Sequence, residues 1–242
     1  MKKTVLVILA VSMMLTLCAC GGSSKKLVMA TNAAFPPYEY VEGNEIIGID
    51  AEIAKLIADD IGRELVIEDM AFDSVIAAVQ TGKADIAMAG LTITEDRKQN
   101  INFSDPYTEA AQVIIVKTDS TVANPDDLEG KTIGVQIGTT GDIYAEDIEG
   151  ATIERYSKYF EAINALTQDK IDAVIVDREP AKVFVNENAD LKLIDEEFTL
   201  EEYAIGVAKE NTELLDQINA SLKKLQDSGK IDEIINKYIS AE

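Results

Sequence analysis

One arginine of this sequence directly follows a segment with the pattern of a buried strand. The apolar run ADIAMAG leads into GLTITEDR, which places Arg97 just beyond the strand end at Gly90. A guanidinium presents parallel N–H donors that match both oxygens of a carboxylate, which a lysine ammonium does not. We therefore predict that Arg97 binds a carboxylate. The alternative is a solvated helix residue that balances Glu95 and Asp96, with Thr94 as the helix N-cap.

Acceptor and donor groups lie at the ends of further apolar runs. Asp177 closes AVIVD and can accept from an ammonium, although an Asp at this position can equally be the N-cap of the following helix. The Thr92 hydroxyl and the Gly90 carbonyl are neighbouring acceptors. The turn GTTG, with Thr139 and Thr140, begins a helix whose first N–H groups favour an anion. Together with the arginine, these groups suit a zwitterion that carries a carboxylate and an ammonium.

Aromatic and amide side chains near the same segments indicate how a ligand side chain would be held. Phe35 and Phe72 can sandwich it between their rings, and the alternative is that both belong to the core. Asn32 and Gln136 stand at the ends of predicted strands, and Val176 lines the same side as Gln136. Uncharged amides and an apolar residue favour a neutral polar side chain, such as that of glutamine.

The composition excludes several classes of protein. The chain of 242 residues has no histidine and no tryptophan, and its only cysteines are Cys18 and Cys20. Most hydrolase mechanisms and zinc sites therefore lack their usual residues, so we expect no catalytic residue, no metal and no cofactor. The formal net charge of −22 repels polyanions, which argues against nucleic-acid binding.

The N-terminal segment has the pattern of an export signal. MKK precedes an apolar run from Thr4 to Leu17, which is shorter than the ~20 residues of a membrane-spanning helix. The run ends in LCAC, which resembles the lipobox of bacterial lipoproteins. This resemblance implies a signal peptide over 1–19, a lipid on Cys20 that anchors an extracytoplasmic protein to the cell membrane, and a flexible spacer over 20–25. The alternative is an ordinary cleavage site with an incidental cysteine.

Short apolar runs alternate with amphipathic segments along the rest of the chain, a pattern typical of α/β layers. One such helix is predicted from Asp50, as its N-cap, to Ile61, with Gly62 as its stop. Two halves of the chain show a similar order of strands and helices. Since ligands of open α/β sheets bind at the carboxyl ends of the strands, two such units predict a cleft lined by the residues named above.

Several motifs, in this order, resemble a known family. TNAAFPPYEY, GIDAEIAKLIADDI, ADIAMAGLTITEDR, INFSDPY, GTTG and DAVIVD are similar to the family 3 extracellular solute-binding proteins, the polar amino-acid receptors of ABC importers. Ala51 departs from the family signature, in which a larger aliphatic residue or Thr is usual. The resemblance implies the periplasmic-binding-protein fold, with two α/β lobes joined by a two-strand hinge around a ligand cleft. Lobe 1 would comprise 26–110 plus 204–242, and lobe 2 would comprise 111–203.

The resemblance also implies a function. The family binds a free L-amino acid with the predicted residues in the roles given above, Arg97 on the carboxylate and Asp177 on the ammonium. The lobes close on the ligand about crossings near 107–111 and 199–203, and the closed monomer delivers the ligand to a membrane permease. Two alternatives are a module that senses the ligand without transport, and a dehydratase of small carboxylates that uses Glu39 or Asp177 as its acid–base group.

Replacement of Arg97 by alanine should lower the affinity for the bound amino acid by at least about tenfold, because charge-assisted hydrogen bonds contribute roughly 1.5–3 kcal/mol each. The unliganded variant should keep its thermal stability. Calorimetric titration with the standard amino acids and cystine, together with thermal unfolding, measures both quantities. Unchanged binding in Arg97→Ala would assign Arg97 to the solvated surface.

Overall fold

A computed structural model of the protein describes residues 26–239. The predicted signal peptide 1–19, the spacer 20–25 and the lipidation at Cys20 therefore lie outside the described residues. The strands are β1 Lys26–Thr31, β2 Ala34–Phe35, β3 Glu39–Glu42, β4 Glu45–Ile47, β5 Glu64–Asp69, β6 Ile86–Ala87, β7 Ile101–Phe103, β8 Thr108–Lys117, β9 Thr132–Gln136, β10 Thr152–Tyr156, β11 Ala173–Asp177, β12 Leu191–Tyr203 and β13 Gly206–Ala208. The helices are α1 Ile49–Asp60, α2 Phe72–Gln80, α3 Glu95–Asn100, α4 Thr140–Ala145, α5 Tyr159–Thr167, α6 Arg178–Glu187, α7 Thr212–Asp227 and α8 Lys230–Tyr238, with a 3-10 turn at Pro125–Leu128.

Two five-stranded sheets share one plan, as the sequence predicted. The first has the order β5-β1-β6-β13-β7 and the second has the order β10-β9-β11-β8-β12. In each sheet the three strands at one end are parallel, and the next strand is antiparallel to them. Helices α1, α2 and α7 pack on the first sheet, and helices α4, α5 and α6 pack on the second. The protein is thus an α/β protein with two lobes.

Two long strands connect the lobes. The chain leaves the first sheet after β7 and enters the second sheet as β8, and it returns from β12 to β13. Strands β8 and β12 are antiparallel partners from the pair Thr108–Tyr203 to the pair Lys117–Leu191. Because each strand hydrogen-bonds to the other, the two crossings form a single ribbon between the lobes.

The core contains the apolar strands of both sheets and the apolar faces of the helices that pack on them. All five residues of β11 are buried, as are Leu27 and Met29 of β1. Helix α7 buries Leu214 and Ile218 on the face that the 3.6-residue period predicts. Within residues 26–239, no helix is long and apolar enough to cross a membrane.

The predicted start of the first helix was wrong. Gly48 occupies the N-cap, with φ of 124°, and no side chain caps the helix. A Cβ atom at this glycine would lie 2.2 Å from the Tyr38 carbonyl oxygen, so the close approach of the two chain segments requires glycine. Asp50 instead lies inside the first turn and is fully buried. Its carboxylate is directed to the interior rather than to the helix end.

Candidate ligand-binding site

A cavity lies between the two lobes, at the carboxyl ends of β1, β6, β9 and β11. Polar, charged and aromatic side chains of both lobes line it, as is usual for ligand pockets. The cavity brings together the ten residues that the sequence nominated for ligand contact, whereas Val176 is not among its lining residues. It adds Ala89, Tyr159 and Glu39, of which the sequence named Glu39 only as an acid–base group of the dehydratase alternative. Its lining residues are Asn32, Phe35, Glu39, Phe72, Ala89, Gly90, Thr92, Arg97, Gln136, Thr139, Thr140, Tyr159 and Asp177.

Arg97 supplies the cation of this cavity. Thr94 caps helix α3 by accepting from the Arg97 backbone N–H at 3.2 Å, as predicted. The Arg97 side chain donates from Nη1 to the Thr92 carbonyl oxygen at 2.8 Å and from Nη2 to the Gly138 carbonyl oxygen at 3.0 Å. Its guanidinium carbon lies 5.5 Å from the centre of the Phe72 ring. At 7% exposure Arg97 is not a solvated surface residue, and three of its five N–H donors remain for a ligand.

The strand end before Arg97 presents acceptors. Gly90 has φ of 54°, and a Cβ atom at this position would lie 2.9 Å from the Phe35 ring. The Gly90 N–H donates to Asp50 Oδ2 at 2.9 Å. The Thr92 hydroxyl donates to Glu201 Oε2 at 2.7 Å, which leaves its oxygen lone pairs as acceptors.

Asp177 is the last residue of β11 and stands at the N-cap position of α6, yet its side chain makes no capping hydrogen bond. The carboxylate instead accepts from the Tyr203 hydroxyl. Burial, followed by the charge of Glu201, raises the pKa of Asp177 to about 7. Its carboxyl group is therefore available to a ligand ammonium, which would favour the ionised form.

The turn before α4 provides hydroxyl groups from the second lobe. Thr139 is the N-cap of α4 and accepts from the Asp142 N–H at 3.2 Å, while its hydroxyl donates to the Gln136 carbonyl oxygen at 2.8 Å. The Thr140 hydroxyl accepts from Gln112 Nε2 at 3.3 Å. The Thr139 hydroxyl is therefore used by the protein itself.

The two amides that the sequence assigned to ligand selection bond to each other and to the backbone. Gln136 Nε2 donates to Asn32 Oδ1 at 3.0 Å and to the Ser157 carbonyl oxygen at 2.9 Å. Asn32 Nδ2 donates to the Met70 carbonyl oxygen at 2.7 Å. The Asn32–Gln136 bond joins the two lobes across the cavity, so these amides hold the lobes together.

Aromatic rings from both lobes cover the cavity. Phe35 stacks on Tyr159 of the second lobe, with ring centres 5.6 Å apart and planes inclined by 25°. Phe35 also packs against Tyr38, at 5.9 Å. Phe35 and Phe72 line the cavity as predicted, and Tyr159 is an additional lining ring.

Glu39 is the charged lining residue that the sequence analysis did not place in a ligand site. It is fully buried on β3, and no amino, amide or hydroxyl group of residues 26–239 donates to either of its carboxyl oxygens. Burial raises the pKa of Glu39 well above its usual range, and the neighbouring charge of Asp50 and a hydrogen bond between the two carboxyl groups raise it further. Burial also raises the pKa of Asp50 to about 6, although the Gly90 N–H and the Tyr107 hydroxyl, at 2.8 Å, stabilise its ionised form.

The charged groups of the lining do not balance. They are one guanidinium, that of Arg97, and two carboxyl groups, those of Glu39 and Asp177. Within residues 26–239 no group of three or more His, Cys, Asp or Glu side chains has an arrangement that could hold a metal ion. With all three groups ionised, the described lining carries one net negative charge.

Known proteins are similar to this chain in both sequence and fold. The model of the bacterial extracellular solute-binding proteins, family 3, matches residues 27–241. The arginine-binding extracellular protein ArtP of Bacillus subtilis is 33% identical over 254 residues, and the match covers all of both chains. The glutamine-binding protein GlnH of the ABC transporter of Bacillus subtilis is 34% identical, over 82% of this chain and 74% of GlnH.

Solved structures agree with these matches. A mutant of ArgBP from T. maritima is 43% identical, with a TM-score of 0.86, and the match covers 89% of this chain and 96% of ArgBP. The family and these relatives are solute-binding proteins rather than enzymes. The family model spans nearly all described residues. The chain therefore belongs to the bacterial extracellular solute-binding proteins, family 3.

Proposed function

We propose that the protein binds a free L-amino acid with a cationic side chain, arginine above all, outside the cytoplasm. We further propose that it delivers this ligand to the permease of an ABC importer. Membership of the family supports binding and delivery. The names of ArtP and ArgBP support arginine. The observation that carries the choice of ligand is the buried carboxyl group of Glu39 in the cavity lining, to which no amino, amide or hydroxyl group of residues 26–239 donates.

The charges of arginine match those of the cavity one for one. The ligand carboxylate would accept from the free N–H groups of Arg97. The ligand ammonium would donate to Asp177, to the Thr92 hydroxyl oxygen and to the Gly90 carbonyl oxygen, all of which line the cavity. The ligand guanidinium would then pair with Glu39. Each buried charge gains a partner, which is the condition under which buried charges are tolerated.

The aromatic lining supports the same ligand. A planar guanidinium stacks favourably on aromatic rings, and such contacts contribute about 2 kcal/mol when water is excluded. Phe35, Phe72 and Tyr159 supply rings around this cavity. The Phe72 ring already carries the guanidinium of Arg97. A second guanidinium, that of the ligand, would find similar surfaces nearby.

Glutamine is the second candidate, since GlnH is a relative of similar identity. The sequence argument for it rested on the amides of Asn32 and Gln136. Both are engaged with each other and with backbone carbonyl groups, so they have fewer donors to offer a ligand. A neutral side chain would also leave Glu39 buried without a cationic partner.

We propose binding by lobe closure because hydrogen bonds between the lobes cross the cavity. Arg97 reaches across to the Gly138 carbonyl oxygen, and Asn32 bonds to Gln136, so the described conformation is closed. Separation of these contacts would open the cavity to a ligand. We propose that the ribbon of β8 and β12 bends for this purpose, with lobe 1 over 26–110 plus 204–242 and lobe 2 over 111–203.

The remaining features of the proposal concern the setting of the protein. We propose a monomer, anchored outside the cytoplasm by a lipid on Cys20, with a membrane permease as its partner. The sensing module without transport remains the alternative use of the same binding site. Because the family consists of solute-binding proteins, dehydratase chemistry at Glu39 or Asp177 is not part of this proposal.

Glu39→Gln should lower the affinity for arginine by about ten- to a hundredfold, because a hydrogen bond to a charged group contributes roughly 1.5–3 kcal/mol. The affinity for glutamine should change by less than about threefold. Calorimetric titration of both ligands against wild type and variant gives the two ratios. Glu42→Gln is the matched control, because Glu42 lies on the same strand and is exposed.

In the same titrations the wild type should bind arginine at least about tenfold more tightly than glutamine. The reason is the hydrogen bond between the ligand guanidinium and Glu39, which contributes roughly 1.5–3 kcal/mol. A preference for glutamine, or an equal loss of both ligands in Glu39→Gln, would overturn the choice of a cationic ligand. Binding of no amino acid at all would overturn the proposed function.

Amino-acid affinity should fall as the pH is lowered from about 8 to about 5, because Asp177, whose pKa is raised to about 7, then takes up a proton and cannot accept from the ammonium. Each pH unit below this pKa costs up to about tenfold in affinity. Calorimetry across this pH range measures the effect. An affinity that is constant or that rises on acidification contradicts the role of Asp177.

The stability of the unliganded protein should depend on pH in the opposite sense, so that it decreases as the pH rises. Asp50 and Asp177 have raised pKa values, so their contribution to the free energy of unfolding is present below the pKa of the unfolded state, near 4. This contribution is lost as the pH rises through about 6 and about 7. Urea unfolding of wild type should therefore show falling stability over this range, and Asp177→Asn should show a smaller fall.

A further inference from the structure

A buried carboxylate lies behind the cavity, on the ribbon that connects the lobes. Glu201 belongs to β12 and is only 6% exposed, although it does not line the cavity. Its Oε2 accepts from the Thr92 hydroxyl at 2.7 Å and from Gln112 Nε2 at 3.2 Å. In the described part of the chain no hydrogen bond reaches its buried Oε1, and the Tyr144 side chain is a further hydrogen-bonding neighbour of the carboxyl group. Such a carboxylate is costly to bury, which indicates a role beyond packing.

The hydrogen bonds of Glu201 connect ligand-facing hydroxyl groups of both lobes. Thr92 follows β6 of the first lobe, and Gln112 lies on β8 beside β12. The Gln112 amide also donates to the Thr140 hydroxyl at 3.3 Å, at the start of α4 in the second lobe. The carboxylate of Glu201 is the acceptor at the centre of this network.

The chemistry of the network determines the direction of the Thr92 hydroxyl. An ionised carboxylate can only accept, so the single Thr92 O–H proton is directed to Glu201. The lone pairs of the Thr92 oxygen are then free for a donor within the cavity. Without this acceptor the hydroxyl would rotate and present its proton to the cavity part of the time, and that orientation repels an ammonium.

We propose that Glu201 is a positioning residue for the ligand α-ammonium. It holds the Thr92 hydroxyl as an acceptor and thereby acts on the ligand through Thr92, without touching it. This inference rests on the proposed binding of an amino acid. It does not depend on whether the ligand side chain is cationic or neutral.

The test compares an amino acid with its analogue that lacks only the α-ammonium. Arginine and 5-guanidinopentanoate form one such pair. If the protein prefers a neutral ligand, glutamine and glutaramate form the corresponding pair. Calorimetry gives the affinity ratio within the pair for wild type, Glu201→Gln, Thr92→Val and the double variant. Glu202→Gln is the matched control, because this neighbour is exposed on the opposite face of β12.

In Glu201→Gln an amide N–H can occupy the Thr92 lone pair that the ammonium needs. The affinity ratio of amino acid to analogue should fall by roughly three- to tenfold, the effect of one hydrogen bond. Thr92→Val alone should lower the ratio by a similar factor. On the Thr92→Val background, Glu201→Gln should change the ratio by less than about twofold. Glu202→Gln should leave it unchanged.

Three results would overturn the inference. An equal loss for both ligands of the pair would indicate that Glu201 serves only the structure of the connecting ribbon. If Glu201→Gln lowers the affinity ratio equally in wild type and on the Thr92→Val background, the charge of Glu201 acts directly on the ligand ammonium rather than through Thr92. A wild type that binds neither ligand would overturn the proposed function itself, and this inference with it. Thermal unfolding of each variant identifies loss of folding separately.

Discussion

The burial of charge around one cavity is the constraint on which the rest of the site depends. Among residues 26–239, Arg97 is the single cation of the lining, whereas Glu39, Asp50, Asp177 and Glu201 place four carboxyl groups in or behind it. Burial raises the pKa of three of these carboxyl groups, so the closed cavity favours their protonated forms. The proposed ligand, with two positive groups, would relieve this imbalance. In this proposal, charge matching links the choice of ligand to the stability of the closed form.

The fold supplies this arrangement through its repeated plan. The carboxyl ends of β1 and β6 in the first lobe and of β9 and β11 in the second lobe meet at the cavity. Polar groups from four strands therefore lie close together. The connecting strand β12 passes directly behind the site, and its alternation puts Glu201 and Tyr203 on the same buried face. Tyr203 donates to Asp177, and Glu201 accepts from Thr92. The ribbon between the lobes is thus also the support of the ligand-facing groups.

The sequence predicted the residues whose position depends on local pattern. Arg97 was predicted because it follows a recognisable strand, and the lobes and connecting strands followed from the family motifs. Glu201 was not predicted as a site residue, because its buried face depends on pairing with Ala110, which is distant in sequence. Glu39 was predicted only as an acid–base group of the dehydratase alternative. It lies in a local hairpin opposite Phe35, but its approach to Asp50 depends on packing between separate segments. The prediction of Asp50 as an N-cap was wrong. Asp is common at N-caps, but the Gly90 N–H and the Tyr107 hydroxyl donate to the Asp50 carboxylate and hold it in the interior.

The most direct test of the account is a crystal structure of the protein with arginine at neutral pH. The account predicts a single ligand in the cavity between the lobes. Its carboxylate should lie within hydrogen-bond distance of the Arg97 guanidinium, its ammonium should contact Asp177 and Thr92, and its guanidinium should contact Glu39. Arginine bound outside this cavity, or bound inside it with its carboxylate away from Arg97, would contradict the account.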